Sequence, residues 1–160
     1  MGRGIAGLGS VVTTSLVWGA LAGAAPPRDL RKLDVCGAIP GAEVARLVGG
    51  GLADSKPFNA TDGTVARCVY GVVPAGADVK QRAAWVVEMF PPATFDELRP
   101  HVEQPVKDVA GLGDGAFEYK DPDSGRWRLY AHRRGDVTLS VTGTDEPTVR
   151  RIASFVLSRP

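Results

Sequence analysis

Residues 126–141 read RWRLYAHRRGDVTLSV, and their alternation decides the fold class. Trp127, Leu129 and Ala131 fall on one side of an extended chain, and Arg128, Tyr130 and His132 on the other. Strand side chains repeat every second residue, so the pattern describes a half-buried strand. Gly135-Asp136 supplies a two-residue turn, after which Val137, Leu139 and Val141 resume the alternation. Two such runs around such a turn form an antiparallel hairpin.

Toward the C-terminus, Asp145-Glu146-Pro147 opens a helix with an apolar stripe of Val149, Ile152, Ala153, Val156 and Leu157. An acceptor at the cap and proline in the first turn suit that start. Toward the N-terminus, residues 121–125 are a turn, Ala116 to Lys120 a strand and Gly111 to Gly115 a loop. Thr94 to Val102 reads as a short helix on Phe95, Leu98 and Val102, with Thr94 and Glu97 at capping-box spacing. Ala83 to Phe90 and Val65 to Val73 are rich in strand formers, with a turn cluster at Pro74 to Asp78. Gly51 to Thr64, holding Lys56-Pro57 and Asp62-Gly63, reads as a loop. Pro40-Gly41-Ala42-Glu43 starts a helix with Val44, Leu47 and Val48 on one face, stopped at Gly49-Gly50-Gly51. The order α, β, β, α, β, β, β, α predicts an α+β domain over residues 35–160. Its sheet is a single antiparallel one of about five strands, with the helices packed on one face.

Ahead of this domain, Arg3 precedes a charge-free run from Gly4 to Ala24 that ends in small residues. Ala22-Gly23-Ala24 fits an A-x-A cleavage site, so residues 1–24 are expected to be a signal peptide and 25–34 a tether. A retained membrane anchor is the alternative, and the chain meets a membrane only in that case. Cys36 lies too far downstream to carry a lipid. Export places Cys36 and Cys68 in an oxidising compartment, where a pair with no C-x-x-C spacing is expected to be a structural disulfide. Loss of Arg3 would balance the remaining basic residues against the 18 acids, giving no case for a nucleic-acid partner.

Motifs with chemical meaning are weak. Asp121-x-Asp123-x-Gly125 echoes a calcium loop, but Arg126 and Arg128 stand where further oxygen ligands belong. Gly111-x-Gly113-x-Gly115 precedes a strand, not the helix a phosphate loop requires. Arg134-Gly135-Asp136 matches an adhesion tripeptide and also an ordinary turn. Asn59-Ala60-Thr61 is a glycosylation sequon. His101 and His132 are the only histidines, and no serine sits in a nucleophile elbow. No catalytic residue, metal ligand or cofactor is therefore assigned. The most lopsided feature is the basic stripe at Arg126–Arg134. Its residues Arg126, Trp127, Arg128, Tyr130, His132 and Arg133 form the candidate binding surface, facing an envelope ligand or protein. Charges that discourage edge pairing explain the same pattern without a ligand.

Three segments resemble an actinobacterial family of secreted proteins and lipoproteins known as domain of unknown function 3558. They are Asp34-Val35-Cys36 with Ile39 to Val44, Cys68-Val69-Tyr70, and Val109 to Ala116. The resemblance spans about residues 34 to 158 and implies an envelope-associated α+β domain with a Cys36–Cys68 bridge and no established activity. The function expected is that of a secreted or cell-envelope accessory domain binding a ligand or partner, in the cleft between sheet and helices or on the open sheet face. A small secreted hydrolase and a purely structural envelope protein are the alternatives.

Overall fold

The computed structural model describes residues 29–133 and 136–159. The expected signal segment, the start of the tether, and Arg134-Gly135 of the adhesion-like tripeptide lie outside the described residues.

Asp34 caps a one-turn helix α1, Val35–Ala38, by accepting from the Gly37 amide at 2.8 Å. Helix α2, Gly41–Val48, ends at Gly49, whose φ of 79° provides the left-handed C-cap read from the glycine run. Strands β1 (Gly50–Asn59), β2 (Ala66–Pro74) and β3 (Ala83–Phe90) follow. Next come α3 (Thr94–Leu98), a 3₁₀ turn at Arg99–His101 and β4 (Lys107–Asp108). Strands β5 (Gly115–Lys120), β6 (Trp127–Arg133) and β7 (Val137–Gly143) lead into α4 (Glu146–Leu157). The strands form one antiparallel sheet in the order β1-β2-β3-β7-β6-β5-β4.

The sheet thus has seven strands, not about five. The segment read as a loop contains β1, which pairs with β2 from Gly50 to Asn59. This edge strand is mostly exposed and carries a register shift between Leu52 and Asp54. Its backbone pairing needs no alternating apolar side chains, and Pro57 is tolerated because an edge strand leaves one row of N–H groups unused. Strand β4 is two residues long, too short for any periodic signal.

The main core lies under α1, α2 and α4, where Cys68, Tyr70, Trp85, Val87, Leu129, Leu139 and Val141 meet Val35, Ile39, Val44, Ile152 and Val156. Helix α3 departs from the expected single helical layer. The chain leaves β3 and crosses the opposite face to reach β4 at the sheet edge. Thr138 on β7 donates to the Pro92 carbonyl at 3.2 Å along this path, and Phe95 packs on Phe117 and Tyr130. The expected capping box at Thr94 does not form: Ala93 occupies the cap position, without a side-chain bond. The helix passes into the 3₁₀ turn at Arg99–His101, where Pro100 sits in the first turn, a position that needs no amide donor.

The Cys36–Cys68 disulfide is formed and ties α1 to the middle of β2. At the other end of the molecule, Asp145 caps α4 by accepting from the Thr148 amide at 2.9 Å. Among the described residues, no helix is long and apolar enough to cross a membrane.

Candidate functional site

Strand β6 divides the basic stripe between the two faces of the sheet. Trp127 packs half-buried against the main core. Arg133 lies on the same side, bound to Asp136 at 2.6 Å and to the Arg159 carbonyl at 3.0 Å. Arg126, just ahead of the strand, donates to the carbonyls of Ala84 and Thr142. Burial, and then the neighbouring Arg128, lower the Arg126 guanidinium. On the opposite face, Arg128 donates to the Tyr130 hydroxyl at 3.5 Å, and His132 stacks on Phe95 with ring centroids 4.1 Å apart. The six residues grouped in sequence therefore form no continuous surface. Tyr130 is buried beneath α3, because Phe117, Phe90 and Phe95 close over it.

Each face carries a depression. Over the main core, a cleft of about 430 Å³ opens between Ala38–Ile39 at the end of α1 and Val156–Leu157 at the end of α4. Met89, Val137 and Leu139 form its floor, and Arg133, Asp136 and Arg159 line one side. Arg159 donates to the Ala38 carbonyl at 2.7 Å and lies 4.2 Å from the Phe155 ring centroid. The gap exists because α1 is a single turn, while α2 lies over β1 and β2. No motif marks this cleft. Its floor was legible only as the inward face of β3 and β7, and the gap above depends on where two helix ends stop.

On the opposite face, a polar pocket of about 350 Å³ lies between residues 98–104, the β5–β6 turn and the sheet. Tyr119, Arg128 and Tyr130 contribute from the sheet, His101, Glu103 and Gln104 from the crossing segment, and Asp121 and Asp123 from the turn. Asp121 Oδ1 accepts from the amides of Asp123 and Ser124, each at 3.0 Å. The Ser124 amide foremost holds the Asp121 carboxyl below its usual range. The calcium-like motif is thus a turn braced by its own first acid. Burial raises the Tyr130 hydroxyl, and the same cause opposes charge on Arg128, which Tyr130, Tyr119 and Glu88 outweigh to leave it raised.

His101 joins acids in this pocket, whereas His132 is held under Phe95. The residues lining the two depressions include no serine, threonine or cysteine. Among the described residues, no group of three His, Cys, Asp or Glu is placed to hold a metal ion. The glycine-rich loop serves packing. A side chain at Gly113 would meet the His132 carbonyl, and a Cβ on Gly115 would lie 3.1 Å from the His132 ring.

Compared with known proteins, the chain matches no family model, no curated protein and no solved structure.

Proposed function

We propose that this chain is an exported accessory domain of the cell envelope that binds a small apolar or amphiphilic ligand in the cleft between α1, α4 and the sheet. The observation that carries this reading is the cleft itself, about 430 Å³ with an apolar floor and charged groups gathered on one side. That size lies within the ~300–1,000 Å³ usual for ligand sites, and mostly apolar walls with a few convergent polar groups are their common chemistry. Export is supported by the N-terminal charge-free run, by the resemblance to the actinobacterial secreted family, and by a Cys36–Cys68 bridge compatible with an oxidising compartment.

Decanoate is a suitable first probe, followed by isothermal titration calorimetry. Ala38 is exposed at the mouth of the cleft, so Ala38→Trp narrows the entrance without replacing a buried side chain. The expected result is saturable binding to the native chain and at least tenfold weaker binding to Ala38→Trp, with its thermal midpoint retained. Equal affinity of the two chains, or no binding to either, would overturn the reading.

A further inference from the structure

We propose that the polar pocket on the opposite face is a second binding site, for a small zwitterion of dipeptide size whose carboxylate meets Arg128 and whose ammonium meets the acidic rim. This inference is independent of the apolar cleft, which lies across the sheet.

Three observations place opposite charges in one concavity. First, Arg128 is half-buried and makes no direct ion pair among the described residues, with Asp121 and Glu88 acting on its charge only at longer range. Its partner is the Tyr130 hydroxyl at the long distance of 3.5 Å, and its Nε is buried with no partner at all. Arg150 is satisfied by Glu118 and Glu146 and Arg133 by Asp136, whereas Arg67 and Arg126, like Arg128, each leave a buried Nε without a partner; of these three, Arg67 lies near Glu88 and Arg126 donates to two carbonyls. A guanidinium presents planar paired donors, and a carboxylate is the group that matches them two at a time.

Second, three acids line the same pocket, Asp121 near enough to feel the Arg128 charge. Glu103 and Asp123 are exposed, on the crossing segment and on the β5–β6 turn, while Arg128 belongs to β6. Asp121 adds a further negative charge, kept ionised by the turn amides. A simple anion would meet repulsion from these three groups, and a simple cation repulsion from Arg128. A ligand carrying one charge of each sign satisfies both. Third, Tyr119 and Tyr130 lie side by side, ring centroids 6.4 Å apart, and flank Arg128 with rigid amphipathic surface.

The probe is the dipeptide alanyl-alanine, titrated into the purified protein while backbone amide resonances are followed by NMR. N-acetyl-alanyl-alanine removes the ammonium, and alanyl-alanine amide removes the carboxylate. The expected result is saturable shifts confined to residues near 101–104 and 119–130, with each modified dipeptide at least tenfold weaker. Arg128→Gln should abolish binding, and Asp123→Asn should weaken it while leaving the N-acetylated dipeptide unaffected. Both variants should keep the native thermal midpoint, since Arg128 has no ion pair to lose and Asp123 is exposed. Ala38→Trp, in the other depression, should bind the dipeptide as the native chain does. Equal affinity for all three dipeptides, undiminished binding by a folded Arg128→Gln protein, or no saturable shift would each overturn the proposal.

Discussion

Asn59 shows how a motif can be legible and its meaning not. The Asn-Ala-Thr spacing marks a glycosylation site, yet its Nδ2 donates to the carbonyls of Leu30, Arg31 and Leu33 at 3.0, 3.2 and 2.8 Å. That amide closes the 3₁₀ turn at Leu30–Lys32 onto the end of β1. The nitrogen that would carry a glycan is therefore the atom holding the N-terminal turn in place. Replacing it strips three carbonyls of their shared donor, and a lost bond to partly buried backbone costs about 1–3 kcal/mol. Asn59→Ala should lower the urea-unfolding free energy by about that amount. Mass spectrometry should find Asn59 unmodified in folded protein, even from a glycosylating host. Tyr70 has a similar role: its hydroxyl donates to the Ile39 carbonyl at 2.8 Å, and burial pushes the phenol well above its ordinary value.

Helix α4 is held at its start by charge and along its length by apolar contact. Arg150 engages Glu118, which is 1% exposed on β5, and also Glu146 in its own first turn at 2.6 Å. Lys107 on β4 reaches Glu146 at 3.1 Å, so the shortest strand is fastened to the longest helix through carboxylates. Chiefly the Lys107 bond, with Arg150 contributing, holds the Glu146 carboxyl below its ordinary range. A folded-state value below the unfolded one means the unfolded chain takes up the proton first. Stability from this group is then complete above the unfolded value of roughly 4.3 and is lost as pH falls through the lowered folded value. Thermal unfolding followed from pH 6 down to pH 3 should show a steeper fall for the native chain than for Glu146→Gln. Parallel curves would exclude this contribution. The stripe Val149, Ile152, Ala153 and Val156 was legible because it repeats at helical spacing. The ion network was not, because Lys107, Glu118 and Arg150 come from three separate elements.

At the scale of the molecule, one covalent link joins the helical layer to the sheet. The Cys36–Cys68 bridge closes a loop of about 33 residues containing α2 and β1. Constraint of the unfolded chain by a loop of that length corresponds to about 3.7 kcal/mol. Replacing both cysteines by serine should lower the unfolding free energy by about that amount, as measured by urea titration of non-reduced native and variant protein. An unchanged value would show that the reduced chain is already constrained. The sequence by itself determined the α+β class, the β6–β7 hairpin, the face of α4 and the identity of the two sulfurs. Each is written in local periodicity, in a cap, or in the count of a single residue type. Only the tertiary structure decided that the sheet has seven strands, since β1 and β4 pair through backbone atoms that carry no side-chain signal. It alone decided that the segment after β3 crosses the second face, which encloses Tyr130. Both depressions are products of that packing: a cleft exists where elements stop short of one another, and the distance between chain segments remote in sequence leaves no trace in local spacing.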